Sequence, residues 1–213
     1  MQPILSFHSP LLTQLAQRIA QLPHDPTLQP YAVLVAITDE AQPKILYSLR
    51  AAQLRQHAGE VSFAGGRRES YDCDNCATAL RETFEETGIA PNLVKVIGEL
   101  PLHYAKSGRP VKPIVGIIPP DVTLVPETGE IARLFWADLG TLITQPTVDY
   151  VYDMHAQQLI SPSFIIDGET VWGLTGRITA TLLAVGFDRN IDWYFNLQDK
   201  QVPLTAITHP APP

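Results

Sequence analysis

Long apolar runs are missing from this sequence. The longest, such as Ala32 to Ile37, fall far short of the roughly 20 residues that span a bilayer, so neither a transmembrane helix nor a membrane partner is expected. The first residues, MQPILSFHSPLL, lack a basic stretch followed by a long apolar core and a small-residue cleavage site, which makes the cytoplasm the expected compartment. Cysteine is scarce as well: Cys73 and Cys76 alone cannot build a disulfide framework. Positive charge is short, 15 Lys and Arg against 22 Asp and Glu, a formal net charge of −7. That balance argues against a non-specific grip on nucleic acid, and a phosphate-bearing ligand would have to meet local positive charge or a metal. There is no internal repeat, no low-complexity segment, and no P-loop, G-x-S-x-G or H-E-x-x-H motif, which removes the commonest rival hydrolase mechanisms.

What is present is a chain of 213 residues, 45% hydrophobic and 17% charged, the size and composition of one globular domain. Leu11, Leu12, Leu15, Ile19 and Leu22 recur at helical spacing before Pro23, predicting a helix over 10–22. Tyr31 to Ile37 and Lys44 to Leu49 read as a hairpin. Glu60 to Phe63 precedes a break at Gly65-Gly66, and a helix is expected from about Asp74 to Thr87, closed by Gly88. Strands are predicted over Leu93 to Leu102, Lys112 to Ile118 and Ile131 to Trp136, with a hairpin joining Phe164–Ile166 to Thr170–Leu174. A last helix is predicted from Thr175 to Val185, and a Pro-rich tail over 202–213. Hairpins mixed with a few helices, without strict β/α alternation, give an α+β class.

The most informative stretch is Gly65 to Ile89, GGRRESYDCDNCATALRETFEETGI. At about 100° per residue, Glu85 and Glu86 fall about 60° and 40° to either side of Glu82, so three carboxylates share a face, with Leu80 and Phe84 opposite as the expected apolar anchor. Arg81 stands one turn before Glu85, at pairing distance. Like charges so spaced repel by roughly 0.2–0.5 kcal/mol per pair, and a hard dication such as Mg²⁺ or Mn²⁺ is the natural offset. A merely solvated acidic face is the competing reading; the upstream Gly65-Gly66, which permit close backbone approach, shift the balance toward a site.

Arg81-Glu82-Thr83-Phe84-Glu85-Glu86-Thr87-Gly88-Ile89 resembles the core of the Nudix box, R-E-U-x-E-E-x-G-U, and the box spans 65–89. Five residues separate Gly66 from Asp72, which stands where Glu is usual, and eight residues rather than seven then precede Arg81. Upstream, Leu46-Tyr47-Ser48-Leu49-Arg50-Ala51, Arg55, Gly59 and Phe63-Ala64-Gly65-Gly66 resemble the signature L-L-T-x-R-[SA]-x3-R-x3-G-x3-F-P-G-G of the coenzyme A pyrophosphatase branch. Ala64 replaces Pro and Tyr47-Ser48 replace Leu-Thr. Further similarity runs through Val96-Ile97-Gly98, Pro113 to Pro120 and Val171 to Thr175.

The resemblance implies an α/β/α sandwich around a central mixed sheet. It also implies Mg²⁺- or Mn²⁺-dependent hydrolysis of coenzyme A or its thioesters to 3′,5′-ADP and a 4′-phosphopantetheine product. ADP-ribose, a dinucleotide or a nucleoside triphosphate is the alternative substrate, and a non-catalytic sensor the other reading. By resemblance Glu82 and Glu86 are the main metal ligands, Glu85 joins them or takes a proton from water, and Arg81 orients Glu85. A carbonyl of Gly65 or Gly66 is a further donor, and Glu130 a reserve base or ligand. Arg50, Arg55 and Arg67, with Arg68, cluster near the glycines and suit phosphate contacts; Arg67 and Arg68, being adjacent, cannot both face the ligand. A homodimer is left open. The lone C-x-x-C is expected to be two incidental thiols, since structural zinc wants four ligands, and Asp72-Cys73-Asp74 fails as an EF-hand because Ala77 and Thr83 occupy its Gly and Glu positions. His57 and His103 are expected to be hydrogen-bonded or exposed, and Trp172 to pack beside the last helix.

Overall fold

The structure is a computed structural model and describes residues 6–154 and 157–192. Helix α1 (Pro10–Ile19) starts where Ser9 Oγ accepts the Leu11 N–H at 3.3 Å, with Pro10 in the first turn where its missing N–H costs nothing. It buries Leu12, Leu15, Ala16 and Ile19 and stops short of the expected Leu22, whose N–H turns back to the Ile19 carbonyl.

Strand β1 (Tyr31–Thr38) is central to an eight-stranded sheet. It runs parallel to β7 (Pro110–Ile118) from Tyr31↔Val111 to Thr38↔Ile118, and antiparallel to β2 (Lys44–Arg50) and to β4 (Ala64–Arg67). β2 also pairs with β3 (Val61–Ser62) and β8 (Ile131–Asp138); β7 pairs with β5 (Lys95–Glu99) and β6 (His103–Tyr104). Buried from both sides, β1 and β7 are apolar along most of their length, β7 being interrupted by Lys112, which pairs with Glu99. A second sheet joins β9 (Val148–Met154), β10 (Gln157–Ile166) and β11 (Glu169–Val171).

Helix α2 (Asn75–Thr87) covers one face of the large sheet, over Ala32, Leu34, Ala36, Leu46 and Ile114. Helices α1 and α4 (Gly173–Phe187) cover the other, over Val35, Ile37, Ile45, Tyr47 and Val115, and a short α3 (Leu139–Thr144) follows β8. The result is the helix–mixed sheet–helix sandwich of an α+β fold. Among the described residues no helix is long and apolar enough to cross a membrane.

Several expectations are corrected. Gly65-Gly66 is no break: both lie in β4, paired with Val33 and Ala32. Leu93 belongs to a 3-10 turn (Pro91–Leu93), and the strand after it ends at Glu99. The arm after Asp167-Gly168 stops at Val171, because the Trp172 carbonyl accepts the Gly176 N–H and so opens α4 two residues before the expected Thr175. The anchor of α2 differs in part: Leu80 packs against the core, but Phe84 is 51% exposed, while Ala79, Thr83, Glu86 and Thr87 are buried. The side of α2 that meets the sheet is the side carrying Glu86, lined otherwise by small residues. The tail 202–213 lies outside the described residues.

Candidate active site

Helix α2 is fixed at both ends. Asp74 caps it by accepting the Ala77 N–H at 2.7 Å, and Gly88, in the left-handed region at φ 77°, closes it. The close approach of β4 to this helix depends on two glycines. A Cβ on Gly66 would lie 2.4 Å from Glu82 Oε2, and one on Gly65, at φ 151°, would lie 2.4 Å from the Ala32 carbonyl oxygen. Glu82 therefore lies directly against the Gly66 backbone, and the Gly65 N–H donates to Glu86 Oε2 at 3.3 Å.

Glu86 is 6% exposed, and burial pushes its carboxyl up to about 8, against the opposing pull of Arg50 and the Gly65 N–H. Burial also raises Glu82, countered by Arg81, with Glu85 and Glu130 adding repulsion. Arg50, at the end of β2, reaches both Glu86 (Nη1 to Oε1, 3.9 Å) and Glu130 (Nη2 to Oε2, 3.6 Å). Glu130 is carried on a turn whose geometry Glu127 sets, its two oxygens accepting the Gly129 and Glu130 N–H groups at 3.0 and 2.8 Å. The Glu130 carbonyl in turn accepts the Ala51 N–H at 2.7 Å, tying that turn to the residue after Arg50.

Glu85 is turned away from this group. Its Oε2 accepts from Arg81 Nη1 at 3.0 Å, and its side chain is 54% exposed. Arg81 is itself clamped: Nε and Nη2 donate to the two oxygens of Asp72 at 3.1 and 3.0 Å, Nη2 also donates to the Arg67 carbonyl at 2.8 Å, and the same nitrogen stands 3.0 Å from Glu82. Asp72, buried, further accepts from the Thr78 hydroxyl and the Glu69 N–H. The Arg81 hydrogen bonds above all hold the Asp72 carboxyl down at about 2, and Arg81 is raised in return.

The structure thus gathers Glu82, Glu86, Glu130, Gly65, Gly66 and Arg50 in one place and sets Glu85 with Arg81 beside it. Arg55 and Arg67 are both exposed, and neither side chain has a hydrogen bond or ion pair among the described residues. Sequence reading missed the Asp72–Arg81 clamp; its signal was the acid six residues after Gly66, discounted because eight residues follow it. Arg50, expected on phosphate, stands beside the carboxylates of Glu86 and Glu130. Cys73 and Cys76 are free, and burial pushes the Cys76 thiol up to about 11. His57 Nδ1 lies 2.8 Å from Glu60 Oε2.

Among the described residues no three His, Cys, Asp or Glu side chains stand together as a ready-made metal-ligand group. Two carboxylates nonetheless fit a hard dication of the Mg²⁺ or Mn²⁺ kind, which commonly takes one or two protein oxygens and completes its shell with water and substrate phosphate. Glu82 and Glu86, at i and i+4 beside the Gly65-Gly66 backbone, would supply those oxygens.

A NUDIX domain model matches residues 28–153. The Nudix hydrolase NudL of Photorhabdus laumondii is 35% identical over 148 residues, 69% of this chain and 79% of that one. NudL of Citrobacter koseri is 44% identical over 104 residues, 49% of this chain and 54% of the relative, so the match spans about half of that protein's length. The crystal structure of a Caenorhabditis elegans Ap4A hydrolase binary complex superposes with a TM-score of 0.45 at 18% identity, over 53% of this chain and 83% of that one.

Proposed function

This chain belongs to the Nudix family, hydrolases of phosphoric anhydrides that use divalent cations, and from that premise we propose that it cleaves the diphosphate of coenzyme A or a coenzyme A thioester. The products are 3′,5′-ADP and 4′-phosphopantetheine or its acyl derivative. One observation carries the catalytic part of this reading: Glu82 and Glu86 held against the Gly65-Gly66 backbone with Glu130 at the rim. The substrate part rests on the upstream signature at Arg50, Arg55, Gly59 and Phe63 to Gly66.

Glu82 and Glu86 would hold Mg²⁺ or Mn²⁺, which when bound neutralises phosphoryl oxygens and stabilises the leaving phosphate. The chain's own residues do the rest. Water attacks one phosphorus of the diphosphate, the bridging P–O bond breaks, and the proton of the water passes to a carboxylate. Glu130 is better placed for that proton than Glu85, because Glu85 is engaged by Arg81 while Glu130 borders Glu86. Arg81, anchored by Asp72, offsets the mutual repulsion of Glu82 and Glu85. Arg55 and Arg67, both exposed, are the arginines assigned to the 3′-phosphate and the diphosphate.

The test is product analysis with coenzyme A, dephospho-coenzyme A and ADP-ribose side by side, with Mg²⁺ or Mn²⁺, in the wild type and in Glu86→Gln. Release of 3′,5′-ADP from coenzyme A, with much weaker cleavage of the other two and a loss of at least about 100-fold in the variant, is expected. Preference for ADP-ribose or dephospho-coenzyme A discards the substrate and keeps the site. An unimpaired variant discards the site.

A further inference from the structure

Two arginines serve the carboxylates of this site, and they are held in different ways. Arg81 is bound directionally, by paired hydrogen bonds to Asp72 near 3.0 Å and another to the Arg67 carbonyl. Arg50 is not. Its contacts to Glu86 and Glu130, 3.9 and 3.6 Å, lie beyond hydrogen-bond length, and its buried Nε has no hydrogen-bond partner among the described residues. Its main chain, by contrast, is fixed: the Arg50 N–H donates to the Glu60 carbonyl at 3.0 Å and its own carbonyl accepts the Gly59 N–H at 3.2 Å. A rigid strand end thus presents a permanent cation held by charge alone.

We infer that Arg50 is the built-in counter-cation of the carboxylate site, a positioning residue that keeps Glu86 and Glu130 together and competes for them with an incoming dication. Among the described residues Arg50 is the one Lys or Arg within 4.0 Å of Glu86 or of Glu130. Without its charge the two carboxylates face each other, and Glu82, with only Arg81 nearby. A dication arriving there then meets more uncompensated negative charge and one less repelling positive charge, so its affinity rises. A part in packing alone has the opposite consequence, because loosening the site weakens binding. This inference rests on the reading that Glu82 and Glu86 hold a dication, and it deepens that reading by naming what the dication displaces.

The experiment is calorimetric titration of Mn²⁺, without substrate, into the wild type, Arg50→Met, Arg50→Lys and Glu86→Gln, each checked for folding by circular dichroism. Arg50→Met is expected to bind Mn²⁺ at least about fivefold more tightly than wild type, Arg50→Lys about as wild type, and Glu86→Gln at least about tenfold more weakly. Mn²⁺ is also expected to raise the melting temperature of Arg50→Met more than that of wild type. Unchanged or weaker binding in Arg50→Met, where wild-type binding depends on Glu86, overturns the role of Arg50 and leaves the metal reading standing. Wild-type binding that is absent, or indifferent to Glu86→Gln, overturns both. Should Arg50→Met fail to fold, Arg50→Gln is judged by the same criteria.

Discussion

Four hydrogen bonds converge on the Asp72 carboxylate, from two Arg81 nitrogens, the Thr78 hydroxyl and the Glu69 N–H. Asp72→Asn keeps the size and forfeits the charge, and is expected to cost about 2 kcal/mol of stability, read as the shift in urea midpoint. Because the folded carboxyl sits at about 2, below its ordinary 3.8, this contribution is present above pH 3.8 and lost as pH falls through 2. His103 behaves differently. Its Nε2 is enclosed without a hydrogen-bond partner, and burial, with Arg177 nearby, lowers it to about 3. Below its ordinary 6.5 the unfolded chain takes up a proton that the folded chain refuses, so wild-type stability declines from pH 6.5 toward 3. His103→Phe is expected to remove that decline, worth at most about 2 kcal/mol at pH 5, in denaturation curves at pH 5 and 8. Parallel pH dependence of the two proteins would contradict the assignment.

At the scale of elements, the contact between β4 and α2 decides whether the carboxylates are usable. Gly66→Ala drives a methyl into the Glu82 carboxylate, the mobile end of a side chain, whereas Gly65→Ala meets the Ala32 carbonyl and Val33 Cα at 2.4 and 2.5 Å with φ at 151°. Gly66→Ala is therefore expected to lower turnover at least about tenfold with little change in melting temperature, and Gly65→Ala to cost more than about 2 kcal/mol. Activity assays beside thermal melts separate the two. The same element shows what the sequence could and could not convey. The span of α2 is legible because Asp74 and Gly88 are a capping acid and a left-handed stop with a local mechanism. Its orientation is legible only in part, because periodicity seeks an apolar stripe and finds Leu80, which packs against the core, and Phe84, which does not, while the fully buried side includes Ala79, Thr83, Thr87 and a glutamate. Short β4 escapes because its pairing partner, β1, lies far back along the chain. Glu82 and Glu86 are legible as neighbours from their i, i+4 spacing, whereas Arg50 facing Glu86 and Glu130 accompanies a shift of pairing register between Leu49 and Arg50 against β8, a tertiary feature.

Across the whole molecule, the sheet separates two layers with different duties. The α1/α4 side holds the larger apolar cluster, with Leu15 fully buried and packed so closely on α4 that a Cβ on Gly186 would lie 2.6 Å from it. The α2 side holds a smaller cluster and the carboxylates. Leu15→Ala is expected to cost about 3 kcal/mol while leaving the metal dependence of turnover unchanged, since β1 and β7 stand between it and α2; a changed metal optimum would show that the layers communicate. The Ala51–Glu130 hydrogen bond and the pairing of β2 with β8 also bear on how the protein is made. During synthesis the glutamate helix leaves the ribosome well before residues 131–138, so a nascent chain carries its acidic stripe without Glu130 until β8 docks. The last carboxylate of the site thus arrives only when β8 pairs with β2, so the same event that closes the sheet also completes the site.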